Sequence, residues 1–241
     1  MCTVTFIRVD DSFFLTSNRD EKVQRSQALP PKVYQVNETA LLYPKDADAG
    51  GTWIALKDNS TAGVLLNGAF TNHPPKPIYR RSRGLILIDI LAVSNPLAWF
   101  SVISLEAIEP FTLILFQAFN LYECRWDGDK KYTKQLSIDQ GQIWSSATLY
   151  DKVVQSKREE WFVKWLGRNT RPTQADIFNF HQFAGDGDEQ NDIRMNRDGQ
   201  LFTVSITGIQ ITRKNGIMNY LDLKDGGTYL KKLYHTTAYA F

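Results

Sequence analysis

MCTVTFIRVDDSFFLTSNRDE, residues 1–21, is the stretch whose reading decides the fold. CTVTFIRV is rich in β-branched and aromatic residues, Asp10-Asp11-Ser12 is a turn signal, and FFLTSN is a second run of the first kind. The chain therefore opens as a β-hairpin. If Asp10-Asp11 is a two-residue loop, Val9 opposes Ser12 and Cys2 opposes Arg19. If the loop is Asp10–Ser12, Val9 opposes Phe13 and Cys2 opposes Asp20. Either register returns the polar run Asn18-Arg19-Asp20-Glu21 to the start of the first strand, where opposed Cβ atoms lie ~4.5–5.5 Å apart. Alternation along a strand puts Asn18 and Asp20 on one face and Arg19 on the other, unless a bulge intervenes.

The residue thus surrounded is one of only two cysteines, Cys2 and Cys124. Cys2 becomes the first residue once Met1 is removed, and the chain then carries a free α-amine and a thiol on one residue. That is a nucleophile with its own base. The reference pKa values, ~8.5 for the thiol and ~7.7–8.0 for the amine, are close enough for proton exchange near neutrality. An adjacent Arg19 would favour the thiolate, and a carboxylate such as Asp20 beside the amine would favour its charged form. Cys124, inside LYECRW, reads as an ordinary strand residue.

Composition bounds the rest. Of 241 residues, 43% are hydrophobic and 22% charged, enough for a sizeable core. With 28 basic and 26 acidic residues the balance does not suggest a nucleic-acid surface. The basic cluster YRRSRG at 79–84 reads as a solvated loop or helix start, or as an anion contact. The first twenty residues carry Arg8, Asp10, Asp11, Arg19 and Asp20 and do not read as a signal peptide. No apolar run approaches the ~20 residues of a membrane span. A cytoplasmic, reduced setting is expected. His73, His181 and His235 are scattered, and GDGDEQND at 185–192 lacks the spacing of a calcium loop, so no metal or cofactor is expected.

Further along, Pro30-Pro31 and Pro44 suggest that residues 22–49 are irregular. TWIALK and AGVLLN form a hairpin around KDNS, and Asn67 ends its second strand just before Gly68, where it can face a ligand. Helices are expected over Gly84–Val93 and from Pro96. Strands follow in FTLILFQAF, NLYECRW, KKYTKQLSI and IWSSAT. Lys152–Gly167 is a helix with Val154, Trp161, Phe162 and Trp165 on its apolar side, and Thr170–Phe183 is another. LFTVSITGIQIT and IMNYLDL close the pattern as a hairpin with an Asn215-Gly216 turn. The order is strands, two helices, strands, two helices, strands. It fits one α+β domain over residues 1–241, with two antiparallel sheets stacked face to face and helix pairs outside.

MCTV, SNRDE at 17–21, GGTWIAL at 50–56 and SRG at 82–84 together resemble the NRDE, or transport and Golgi organisation, family, with WSSATL at 144–149 a weaker match. That family resembles the N-terminal nucleophile hydrolases, among them the choloylglycine hydrolases and penicillin V acylases. The resemblance implies a four-layer αββα sandwich. It implies that Cys2 is the nucleophile, that Asp20 orients the amine, that Arg19 or Asn18 stands near an Arg of the relatives, and that Asn67 helps form the oxyanion hole. Ser146 stands where the relatives place a second Asn, and Arg194 and Arg197 are neighbourhood candidates for a late Arg that closes the site. The implied function is an N-terminal-cysteine hydrolase or acyltransferase acting on a non-peptide amide or thioester. The alternative is a non-catalytic carrier of a hydrophobic ligand such as an acyl-CoA, lipid or haem, with Cys2 a thiolate ligand in the last case.

Overall fold

The computed structural model describes residues 3–74 and 76–235. Cys2 therefore lies outside the described residues. Among the described residues fourteen strands form two seven-stranded sheets. Sheet A contains β1 (Thr3–Val9), β2 (Ser12–Lys22), β10 (Gln142–Ser145), β11 (Asn196–Arg197), β12 (Leu201–Ile211), β13 (Asn215–Asp222) and β14 (Thr228–Tyr234), in the order β10-β1-β2-β12-β13-β14, with β11 paired to β12. Sheet B is a meander in chain order: β3 (Leu29–Val36), β4 (Thr39–Lys45), β5 (Ile54–Lys57), β6 (Ala62–Asn67), β7 (Phe111–Gln117), β8 (Asn120–Trp126) and β9 (Lys131–Leu136). Helices α1 (Arg83–Leu91) and α2 (Pro96–Val102) belong with sheet B, and α3 (Lys152–Arg168) and α4 (Gln174–Phe183) with sheet A. This is the αββα sandwich.

The opening hairpin takes the two-residue loop: Val9 pairs with Ser12 and Thr3 with Asn18. Asp10 makes that loop possible at φ 51, a left-handed conformation that Asp adopts at little cost. Alternation then sorts the sequence. Val4, Phe6, Phe13 and Leu15 face sheet B and meet Leu42, Val64, Ile114 and Phe116 in the inter-sheet core. In β7 both faces are covered, Ile114 and Phe116 inward and Phe111, Leu113 and Leu115 under α1 and α2. That is why FTLILFQ reads as an unbroken apolar run.

Three expectations fail locally. Residues 22–49 are not irregular: β3 and β4 form a hairpin there. Pro30-Pro31 falls at a register shift between Leu29 and Lys32, and Pro44 lies beyond the two residues of β4 that pair with β5, so no ladder bond is lost. The strand expected over 111–119 stops at Gln117, because Ala118 and Phe119 turn at φ 49 and 57. The last hairpin turns at Arg213-Lys214 rather than at Asn215-Gly216, which pair within β13 and its neighbours. The Thr212 hydroxyl accepts from the Lys214 and Asn215 N–H groups and sets that turn. Gly216 is needed for packing instead: a Cβ there would stand 2.4 Å from Leu56 Cδ2 across the sheet interface.

Candidate active site

The start of β1 lies between two strands, with Thr3 paired to Asn18 of β2 and to Ser145 of β10. Around this point β2 carries its polar run, and the expected alternation holds. The one nearby bulge is in β12, between Thr203 and Ser205, and leaves β2 regular.

On the helix side, Asp20 is buried and both its oxygens are bonded. Thr203 Oγ1 donates to Oδ1 at 2.6 Å and Tyr150 Oη donates to Oδ2 at 2.9 Å. Asn18 shares this face. Its Nδ2 donates to the His181 and Ile193 carbonyls, which fixes the amide orientation, so Oδ1 must accept from His181 Nδ1 at 2.6 Å. His181 Nε2 then accepts from the Thr5 hydroxyl at 2.8 Å. The imidazole is fully buried, and burial, with Arg158 nearby, pushes its pKa down to about 3. It is a neutral structural group, and Asn18 is engaged with it.

On the other side, Arg19 points into a cleft of about 520 Å³ whose lining includes Trp53, Asn67, Ser82 and Gly84. Its guanidinium lies 4.8 Å from the Trp53 ring centroid, donates to Asp46 Oδ2 at 2.7 Å and reaches Glu21 at 3.5 Å. Burial raises the Asp46 pKa, but the Ala49 N–H, Arg25 and Arg19 outweigh it and hold the carboxyl below its ordinary range. The charge of Arg19 is therefore met by an ionised partner. The GGTW and SRG segments meet at this cleft. A Cβ on Gly51 would stand 2.5 Å from the Gly84 carbonyl carbon, and one on Gly84 would stand 2.7 Å from Thr52 O. Two glycines let the loop before β5 touch the first turn of α1, where the Ser82 side chain caps the helix by accepting from Leu85 N–H.

Asn67, at the end of β6, lines the same cleft. The Ser146 hydroxyl lies 3.0 Å from its carbonyl oxygen and donates to it. Arg19, Asn67 and Ser146 are thus gathered at one end of the sandwich, while Asn18 and Asp20 lie across β2. Arg197 is on the helix side. It donates to the Leu149 carbonyl and lies 5.3 Å from the Tyr150 ring centroid, beside a separate cavity of about 460 Å³. Arg194 is exposed. Among the described residues no group of His, Cys, Asp or Glu could hold a metal ion, and no helix is long and apolar enough to cross a membrane.

Arg158, Tyr150, Thr203 and His181 escaped the sequence reading. Arg158 and His181 did leave a signal. Each interrupts the apolar stripe of its helix, Arg158 one turn from Val154 and Phe162, His181 beside Ile177 and Phe180. A polar residue on a buried face needs a partner, but their partners lie 155 and 163 residues away.

A layered αββα sandwich whose first strand opens onto this cluster is the fold of the N-terminal nucleophile hydrolases, and solved structures of that class share it. A Caenorhabditis elegans N-acylethanolamine-hydrolyzing acid amidase ortholog superposes with a TM-score of 0.60 at 12% identity, covering 86% of this chain and 92% of its own. A mutant of the conjugated bile acid hydrolase of Clostridium perfringens gives 0.56 at 11% identity, covering 99% and 98%. A second variant of that hydrolase gives 0.55 at 10%, covering 100% and 99%. The chain itself belongs to the Transport and Golgi organisation 2 family, whose profile matches residues 1–182. No curated protein matches the sequence.

Proposed function

We propose that this chain is an N-terminal-cysteine hydrolase or acyltransferase acting on a non-peptide amide or thioester, with Cys2 as nucleophile after Met1 removal. The observation that carries the reading is the pairing of Thr3 with Asn18 and Ser145. In that register β1 begins beside the Asn18-Arg19-Asp20 run of β2 and next to Ser146, whose hydroxyl is held to the Asn67 carbonyl. The relatives of like fold are named for the hydrolysis of N-acylethanolamines and of conjugated bile acids, which supports an acyl amide as the substrate class.

The chemistry follows from the groups. The thiolate attacks the acyl carbon and forms a C–S bond. The C–N bond, or the C–S bond of a thioester, breaks as the α-ammonium of Cys2 gives its proton to the leaving group. The freed amine then takes a proton from water, whose oxygen attacks the acyl-cysteine, releasing the acid and restoring the thiol. Asn67 donates to the oxyanion, a contribution of ~10²–10³ in rate. Arg19 is shared with Asp46, so it tempers the thiolate less than an unpartnered guanidinium would. Trp53 lines the cleft beside Arg19, its ring centroid 4.8 Å from the guanidinium carbon. The setting proposed is cytoplasmic, and the partner a small molecule.

The test is intact mass and peptide mapping after exposure to a β-lactone acylating probe. Loss of Met1 and a single adduct on Cys2, absent in Cys2→Ala, are expected. Retained Met1, or no adduct on Cys2, overturns the reading.

A further inference from the structure

Among the described residues Arg158 is the largest fully buried side chain, and its hydrogen bonds there go to a hydroxyl and backbone carbonyls rather than to a carboxylate. Nη1 donates to Thr3 Oγ1 at 2.6 Å. Nη2 donates to the Asn191 and Asp192 carbonyls and Nε to that of Asn191. Its guanidinium carbon lies 3.6 Å from the Tyr150 ring centroid, close stacking for a cation–π pair. Burying a charge without a counter-ion is costly, and one turn further along α3 the apolar Phe162 fills the equivalent place. The arrangement is specific in what it joins. One guanidinium touches both Thr3, the residue bonded to Cys2, and Tyr150, whose hydroxyl holds Asp20.

We propose that Tyr150 and Arg158 are positioning residues for the N-terminal nucleophile. Arg158 fixes the start of β1 through Thr3, and through the face of Tyr150 it fixes the carboxylate of Asp20 against the same N-terminus. The proposal rests on the function proposed above. Thr203 and Tyr150 each take one lone pair of Asp20, and a carboxylate accepts about four hydrogen bonds, so the α-ammonium of Cys2 can still be received. Loss of the Tyr150 hydroxyl lets the carboxylate turn away. The groups facing the phenol are Arg158 from α3, Arg197 from β11 and Asp20 from β2. From α4, neutral His181 reaches the same network through Asn18 and Thr5.

The test is the rate of Cys2 acylation by the β-lactone probe from pH 5 to 9 in wild type, Tyr150→Phe, Arg158→Lys and Asp20→Asn, each checked for cooperative unfolding. Tyr150→Phe should slow acylation about ten- to a hundredfold. It should also move the midpoint of the profile toward lower pH by about one unit, because an ammonium less tightly paired with Asp20 releases its proton sooner. Asp20→Asn should do the same to a larger extent. Arg158→Lys keeps the charge but not the stacking, and should fall between wild type and Tyr150→Phe. A reactive wild type with an unmoved midpoint in folded Tyr150→Phe overturns the positioning role alone. So does a uniform loss that only tracks lower stability. No adduct on wild-type Cys2 overturns the proposed function and this inference together.

Discussion

The two helix-covered faces of the sandwich are built in opposite ways. Over sheet B, α1 and α2 contribute Ile86, Leu87, Ile90, Leu91 and Phe100 to an apolar layer with Leu41, Ala55, Leu65, Leu113 and Leu115. Over sheet A, α3 and α4 contribute a smaller apolar cluster around Phe14, Phe162, Ile177 and Phe180. The rest of that interface is a buried polar lattice of Thr3, Thr5, Asn18, Asp20, Arg158 and His181. Apolar packing is non-directional, so the sheet B layer secures burial. A fully bonded polar lattice admits one arrangement, and this one lies where the polar run of β2 meets the start of β1.

Substitutions that conserve volume break this comparison most sharply. Arg158→Met keeps the bulk but leaves the Thr3 hydroxyl and the Asn191 and Asp192 carbonyls without their donor, and should destabilise by about 3 kcal/mol or more. Leu87→Met on the opposite face should cost less than ~1.5 kcal/mol. Urea unfolding of the two variants decides the matter: equal losses would mean that the lattice is ordinary packing.

Proton linkage gives the next largest effect. His181 titrates near its ordinary value when unfolded and is pushed down to about 3 when folded, chiefly by burial. The unfolded state therefore binds the proton first, and stability falls as pH drops through the interval from about 6.5 to about 3. At pH 5 the loss from this group is about 2 kcal/mol. His181→Gln should be less stable at pH 7 yet lose less on acidification. Parallel pH–stability curves for the two proteins would show that the imidazole is not buried neutral in the lattice.

Gly51→Ala probes the junction between sheet B and the cleft. The new Cβ meets the Gly84 backbone, so the loop must move away from α1. A loss of about 1–3 kcal/mol is expected, with weaker acylation of Cys2. Unchanged stability with unchanged acylation would detach the GGTW segment from the site.

Reactivity distinguishes the two cysteines. Burial pushes the Cys124 thiol up to about 12, with the Glu123 charge adding to the rise and the Thr133 hydrogen bond opposing it. The native protein should alkylate at Cys2 and spare Cys124 at pH 8, and the unfolded protein should react at both. Modification of native Cys124 would contradict its place under α1 and α2.

What the sequence disclosed follows the range of the interaction. The hairpin of β1 and β2, the helices over Gly84–Val93 and from Pro96 and the strand in FTLILFQ are local patterns, and they were legible. Pro30-Pro31 misled because a proline at a bulge looks like a proline in a loop. The Asn215-Gly216 dipeptide misled because the requirement for Gly216 comes from Leu56 in the other sheet. The polar run Asn18-Arg19-Asp20 was visible as a candidate site, but its division between two faces assigns unlike surroundings to neighbours. Arg19 meets Asp46 and Trp53, whereas Asn18 and Asp20 meet His181, Tyr150 and Thr203, all more than 120 residues distant in sequence. Only the tertiary structure supplies those partners.

The smallest expected effect tests the comparison from the apolar side. Lys57 is the exception there: its ammonium donates to the Val93 carbonyl just beyond α1 at 2.6 Å, and burial lowers its pKa. Its removal loses one hydrogen bond, worth about 1 kcal/mol net, and also relieves the desolvation of a charge. These terms oppose each other, so Lys57→Met should change stability by less than ~1 kcal/mol in either direction. Urea midpoints at pH 7 measure it. A large loss would make Lys57 a structural anchor of the same kind as Arg158, and the two faces would no longer differ in principle. A small one means that a lone buried charge on the apolar face is replaceable, whereas the buried charge that joins Thr3 to Tyr150 is not.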